Sequence, residues 1–363
     1  MSNPSINPPI NPPINLAKYY NRGLVGIENL GNTCFLNAAL QVLNHVYELN
    51  DFLDSEKYKK LTKHSSDDLS ILNEWDDLRQ VMWSGNGIVT PRKFIINVKR
   101  IAHAKKRDLF TGYAQNDLPE FLLFMMDCMH NSIKRCVNMK ISGKTVNSLD
   151  DLAVTCYTML KDTYKIEYSE IMDLFYGVYV SEITSRDGKT RHSIKPENYF
   201  MLDLPIADQS TRASTLYDCF DLFIKSEYLE GENAWFNEKT NQKEDISKQM
   251  LFWNFPKILV IALKRFTPDG QGKDNALIDF PLMDLDLSKY VRGYNANTFK
   301  YDLFGICNHT GGTGGGHYTA FVKNAQEQWN HFNDRDIESV ANPRDVVSGS
   351  AYCLFYRKKN NPV

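Results

Sequence analysis

Two side chains in this sequence have the type and setting for nucleophilic acyl chemistry, Cys34 and His317. A thiol attacks a carbonyl efficiently only as thiolate, and a helix N-terminus with a neighbouring imidazole favours the ion. After Cys34, the residues Leu36, Leu40, Leu43 and Val46 fall on one face at helical spacing, so a helix is predicted to begin at or just before the thiol. Taken alone, Cys34 reads more readily as a half-buried helix cysteine. The imidazole must come from elsewhere in the chain, because the partners in such sites meet in space and not in sequence. Of eight histidines, His317 follows Gly311, Gly312, Gly314, Gly315 and Gly316 and precedes the strand-like run from Tyr318 to Val322. Glycines there let main chain pass very close to another group, although a flexible loop would carry the same residues. Neither HExxH nor GxSxG occurs, so metal-hydrolase and serine-hydrolase chemistry has no motif here.

The elements that must position these groups follow from periodicity. A second helix is predicted after Asp117 and Glu120, spaced like a cap, with Phe121, Leu122, Met125, Met126 and Met129 as its apolar stripe. Beyond it the character changes to short β-branched and aromatic runs: 174–180, 199–204, 257–263, 301–307, 317–322 and 352–356. These predict an antiparallel sheet. Helices first and strands second make an α+β chain with a cleft where two lobes meet.

Residues 3 to 15 repeat an Asn-Pro-(Ser/Pro)-Ile unit that fixes φ and removes amide donors, so residues 1–22 are expected to be a disordered tail. The folded part is expected from Gly23 to residue 358, with 359–363 as a C-terminal tail. Composition narrows the function classes. In 363 residues, 42 Lys+Arg face 44 Asp+Glu, which supplies no global basic field for nucleic acid or an anionic membrane. The start of the chain lacks the pattern of a secretory signal and no apolar run approaches a membrane helix, so a cytosolic or nuclear protein is expected. Seven scattered cysteines with no CxxC pair suggest neither a disulfide framework nor a zinc knuckle.

Together these segments resemble the ubiquitin-specific proteases. Residues 23–43, GLVGIENLGNTCFLNAALQVL, are similar to the family's cysteine box, and residues 308–322, NHTGGTGGGHYTAFV, to its histidine box. Between and beyond them, AQNDLPEFL (114–122), LFYGVYVSEI (174–183), FPKILVIALKRF (255–266), FPLMDLDLSKY (280–290), WNHFNDRDI (329–337) and AYCLFYRK (351–358) keep the family order. The resemblance implies a papain-like fold with a helical thumb, a β-rich palm and β fingers, and a catalytic domain over residues 23–358. It implies Cys34 as nucleophile, His317 as base, Asn333 as the residue orienting the imidazole with Asp334 as a candidate to share that work, and Asn29 as an oxyanion donor. Gln115, Asn116, Asp117, His309 and Gly316 are implied along the substrate channel.

The reaction implied is hydrolysis of isopeptide, peptide or thioester bonds at the C-terminal glycine of ubiquitin through a thioester. No cofactor is expected; the expected partners are ubiquitin and ubiquitinated proteins, and the expected state a monomer. Where many members carry two CxxC pairs in the fingers, this chain has Ser185, Gly188, Asn237 and Thr240. Thiolates make such zinc sites, so the fingers are expected to be metal-free and held by strand pairing and apolar residues, among them Tyr228, Leu229, Trp235, Phe236, Leu251 and Trp253.

Overall fold

The computed structural model describes residues 14–359 except 62–66, 108, 113, 239 and 268. Its helical lobe comprises α1 (Cys34–Asn44), α2 (Tyr47–Asp54), α3 (Lys57–Leu61), α4 (Asp67–Ser84), α5 (Arg92–Ala104) and α6 (Leu118–Ile133). The helices α7 (Ser148–Glu167), α8 (Glu170–Phe175) and α9 (Leu216–Phe223) come later in the chain. The short strands β1 (Val25–Ile27) and β2 (Gly87–Val89) pair in parallel beside α1.

The fingers are a four-stranded sheet in the order β4-β3-β9-β6, built from β3 (Gly177–Ser185), β4 (Arg191–Tyr199), β6 (Glu227–Leu229) and β9 (Ile246–Asn254). A hairpin of β7 (Trp235–Asn237) and β8 (Gln242–Glu244) extends them. The palm runs in the order β15-β14-β13-β12-β16-β10-β5. Its strands are β5 (Met201–Pro205), β10 (Ile258–Lys264), β12 (Lys300–Gly312), β13 (Gly315–Lys323), β14 (Trp329–Asn333), β15 (Asp336–Ser339) and β16 (Ala351–Lys358), and the two-residue β11 (Leu285–Asp286) pairs with β12.

All eleven residues of α1 are buried, so this helix is a core element on every side. Burying each of Leu36, Leu40 and Leu43 contributes about 1.5–3 kcal/mol. The palm strand beneath makes room for it: a Cβ at Gly305 of β12 would lie 2.4 Å from Val42 Cγ1. The polar residues of α1 tie neighbouring segments to it. Gln41 donates to the Val25 carbonyl at 2.7 Å, and the Cys307 thiol of β12 donates to the Ala38 carbonyl at 3.7 Å. One hydrophobic core fills the space between the helical lobe and one palm face; a second, with α9 and residues such as Leu259, Ile261 and Tyr301, covers the other face.

Three sequence expectations change. Residues 174 and 175 end helix α8, which Ser169 initiates by accepting from the Met172 amide at 3.2 Å, and the strand starts only at Gly177. The palm is antiparallel except at β5–β10, which are parallel. The expected disordered tail is also too long at its inner end: residues 16–19 form a 3-10 turn, Tyr19 is buried against Tyr47 and Trp83, and Lys18 bridges to Asp54 at 2.9 Å. The rest of the proline repeat, residues 1–13, lies outside the described residues.

Candidate active site

Cys34 is the first residue of α1 and is buried. Helices α6, α7, α8 and α9 each carry a side-chain cap, from Asp117, Asn147, Ser169 and Thr215. The N-cap of α1, Thr33, makes no such bond: its hydroxyl accepts from the Leu30 amide at 3.0 Å and reaches Asn29 Oδ1 at 3.3 Å. The first amides of α1 therefore stay available to an anion at the helix end. Burial pushes the Cys34 thiol above its ordinary range and the charge of Asp334 adds to this, while the main-chain N–H groups of Tyr318, Phe35 and Cys34 itself act against it. Cys156 shows the contrast: with burial as its one cause it is pushed up to about 12. Cys34 differs from it in the three amides that oppose its burial.

Strand β13 brings His317 to the same place, packed along α1 and followed by the Tyr318 amide that faces the sulfur. Its Nε2 lies 2.7 Å from Oδ1 of Asn333, the last residue of β14. With Nε2–H donating to that oxygen, Nδ1 is left as the proton acceptor. Asp334 has a different set of partners. It opens the two-residue β14–β15 turn at φ 51°, and its carboxylate accepts from Asn29 Nδ2 at 2.9 Å and Asn37 Nδ2 at 2.7 Å. Its carbonyl accepts from the Ile27 amide at 2.8 Å. Asn29 is fixed from its other end too, since its Oδ1 accepts from the amides of Gly31 at 3.0 Å and Thr33 at 3.2 Å. Among the described hydrogen bonds, one N–H of Asn29 is left for a further acceptor beside the α1 N-terminus. Asn37 escaped the sequence reading, although its place three residues after Cys34 puts it on the same helix face.

The residues expected along a channel divide into four settings. Gln115 bonds both main-chain groups of Gly316, donating Nε2 to the carbonyl at 2.8 Å and accepting the amide at 2.5 Å. Asn116 works locally, donating to the Ala114 carbonyl at 2.9 Å and accepting from the Phe110 amide at 3.3 Å. Asp117 caps α6 through the Glu120 amide and accepts from the Tyr352 hydroxyl at 2.8 Å. Burial holds Asp117 above its usual carboxylate range, with the Tyr352 and Glu120 bonds opposing the shift. His309 is 3% exposed beneath this surface, among Phe266, Tyr318 and Tyr352. Burial, with Lys273 nearby, lowers its ring to about 4. Gly316 covers it: a Cβ there would sit 2.3 Å from His309 Nε2.

Residues 25–356 match the sequence model of the family described as ubiquitin carboxyl-terminal hydrolase. The chain belongs to that family. It is 34% identical over 342 residues to the Drosophila melanogaster ubiquitin carboxyl-terminal hydrolase Usp2, covering 93% of this chain and 35% of the fly protein. It is also 34% identical over 349 residues to the human ubiquitin carboxyl-terminal hydrolase 2, covering 94% of this chain and 56% of the relative. The chain thus spans about a third to about half of the length of these relatives. Its fold superposes with a TM-score of 0.71 on a solved structure of the SAGA DUB module, Ubp8 with Sgf11, Sus1 and Sgf73, bound to monoubiquitin. Identity there is 25%, and the match covers 94% of this chain and 70% of that one. The architecture is the α+β, papain-like fold of this hydrolase family.

Within this hydrolase fold the fingers depart from the thiolate pattern in a definite way. Ser185 bonds Asp187 at 2.6 Å in a tight turn that also contains Gly188. Asn237 and Thr240 both donate to Glu244, at 2.9 and 2.6 Å, and His192 Nδ1 stands 3.8 Å from the same carboxylate. Among the described residues no group of three or more His, Cys, Asp or Glu is arranged to hold a metal ion. The expected apolar support needs correction: Tyr228 and Phe236 are 62% and 50% exposed, and Trp253, which is buried, packs with α7 at the root of the fingers. The tip is held by strand pairing and by the hydrogen bonds around Glu244.

Proposed function

We propose that this chain is a deubiquitinating cysteine protease in which Cys34 is the nucleophile and His317 its base. The observation that carries the reading is the pairing of His317 Nε2 with Asn333 at 2.7 Å, which leaves Nδ1 to accept a proton, beside a thiol reached by three main-chain N–H groups. In the first step the Cys34 sulfur bonds to the carbonyl carbon of the ubiquitin terminal glycine while its proton passes to His317 Nδ1. The resulting oxyanion takes hydrogen bonds from the remaining Asn29 N–H and the Cys34 amide. Collapse breaks the bond to the lysine amine, α-amine or thiol, which leaves with the proton from the imidazolium, and a thioester remains. Water, deprotonated by the same imidazole, then cleaves the thioester.

Asn333 orients the ring, and Asp334 keeps Asn29 turned toward the site. Gln115, Asn116, Asp117 and Gly316 would flank the ubiquitin tail, where a wall of glycine main chain admits only residues with no side chain; His309, expected to touch it, is instead buried and supports Gly316 from beneath. The chemistry is complete without metal or organic cofactor. We read the protein as a monomer acting on ubiquitin and ubiquitinated proteins, not on nucleic acid or membrane, in keeping with its near-neutral charge balance. All seven cysteines are free, and among the described residues no helix is long and apolar enough to cross a membrane, which fits a cytosolic or nuclear setting.

Electrophilic probes built on ubiquitin and on other ubiquitin-like modifiers test this directly. The wild type is expected to form a covalent adduct with the ubiquitin probe at Cys34, and Cys34→Ala none. Labelling by a different modifier alone, or at a different cysteine, would overturn the assignment.

A further inference from the structure

The glycines ahead of His317 are the residues that lose most freedom on ordering, yet the ring at their end must be held closely for proton transfer. Along a strand, successive residues turn their N–H and C=O groups to opposite edges. Gly316 turns both of its groups to the Gln115 carboxamide. In register it faces Gly311 of β12, whereas β14 begins to pair with β13 only at Ala320. Gln115 therefore stands on the β13 edge that β14 leaves open. The next residue to face that edge is Tyr318, whose amide meets the Cys34 sulfur. On its other side Gly316 is backed by His309 Nε2 and the Thr310 carbonyl, 2.3 and 2.5 Å from where a Cβ would be. The base of the arm is rigid, because Asp117 is fixed to α6 and to Tyr352 of β16.

We infer that Gln115 is a positioning residue for acyl transfer: by closing the β13 edge at Gly316 it fixes the approach of the His317 imidazole to Cys34. The inference rests on the deubiquitinase reading for its substrate, while the geometry concerns the enzyme's own main chain. Gln115 is exposed, so replacing it opens no cavity.

Gln115→Met keeps the length and removes both bonds; Gln115→Glu keeps an acceptor and loses the donor. In the full chain, hydrolysis of a ubiquitin–fluorophore substrate is expected to show kcat lowered about ten-fold in Gln115→Met, with KM little changed and Gln115→Glu intermediate. Chloroacetamide alkylation of Cys34, followed by mass spectrometry across pH, is expected to slow and to approach the profile of His317→Ala. The Gly316 amide should also lose protection from hydrogen exchange. A rise in KM with kcat and the alkylation profile unchanged would overturn the inference and leave Gln115 as a channel wall only. If the wild type cleaves no ubiquitin substrate, the deubiquitinase reading fails, and the alkylation profile still decides the positioning role. Should Gln115→Met not fold, Gln115→Glu carries the same comparison.

Discussion

At the mouth of α1, polar side chains from three separate stretches of chain form a knot of two adjoining sets of bonds, whereas at the tip of the fingers the bonds stay within a single hairpin and its neighbour. Asp334 joins Asn29 and Asn37 across roughly three hundred residues of sequence, and Asn333 fixes His317 from the adjacent strand. Glu244 gathers Asn237 and Thr240 from seven and four residues away. The first arrangement forms only once the whole domain has folded, so it can specify geometry. The second is local and partly exposed, so it can open without disturbing the bonds around Asp334 and His317.

The largest expected effect is at the centre of the knot. His317→Ala should lower kcat by about 10⁴-fold or more, and a Cys34→Ala, His317→Ala double variant should be no worse than either single one, because residues acting as a unit are not additive. A double variant measurably slower than both would show that the two act separately. Next comes the division of labour between neighbours. Asn333→Ala should reduce kcat more than Asp334→Ala does, since only Asn333 touches the imidazole. Asp334→Ala should instead mimic Asn29→Ala, itself expected to cost about 2–4 kcal/mol of transition-state stabilisation if its free N–H serves the oxyanion. Steady-state kinetics of the three variants decides the order, and equal losses for Asn333 and Asp334 would merge the two roles.

Acid separates the regions in another way. Burial holds His45, at the end of α1, at about 4, with the Gln41 carbonyl opposing and Arg357 assisting. The folded state favours the neutral ring, so its stability is fully present above the ordinary value of about 6.5 and is lost as pH falls toward 4. The loss amounts to about 2–4 kcal/mol. Glu244 is held below its ordinary value, first by Thr240 and then by Asn237, so its contribution persists until pH falls below about 4.5. Between pH 7 and 5, protection from hydrogen exchange, relative to the intrinsic rate at each pH, should therefore fall around α1 before it does in β7 and β8. The reverse order would contradict this account of His45.

The smallest effects belong to the fingers. Glu244→Ala should lower Tm by no more than about 2 °C. Chelators should leave both Tm and activity unchanged. About one zinc per chain surviving dialysis in the untagged protein would overturn the hydrogen-bonded description of the tip.

The starts of α1 and α6 were legible from spacing and caps: the structure starts α1 at Cys34 and α6 one residue after Asp117. The palm strands β5, β10, β12, β13 and β16 were legible as apolar runs, but β14 and β15 were not, nor was the parallel β5–β10 pair, since periodicity gives the faces of a strand and not its neighbour. The α8 segment misled because a short apolar run suits a strand and a helix equally, and the Ser169 cap decided it. In the site, residue type and setting pointed to Cys34 and His317, whereas Asn29, Asn333 and Asp334 came from the family resemblance, which left Asp334 as a candidate to share the work of Asn333.

The sequence by itself determined which chemical groups this protein has and where its main helices start, because both are properties of neighbouring residues: a thiol opening an apolar period, a ring after a run of glycines, a carboxylate before a helix. Only the tertiary structure decided that Asn333 meets the imidazole while Asp334 meets Asn29, and that Gln115 holds the main chain at Gly316. Adjacent residues at the end of a strand point to opposite sides, and partners some two hundred to three hundred residues apart are chosen by how sheet and helix pack, which no local pattern encodes.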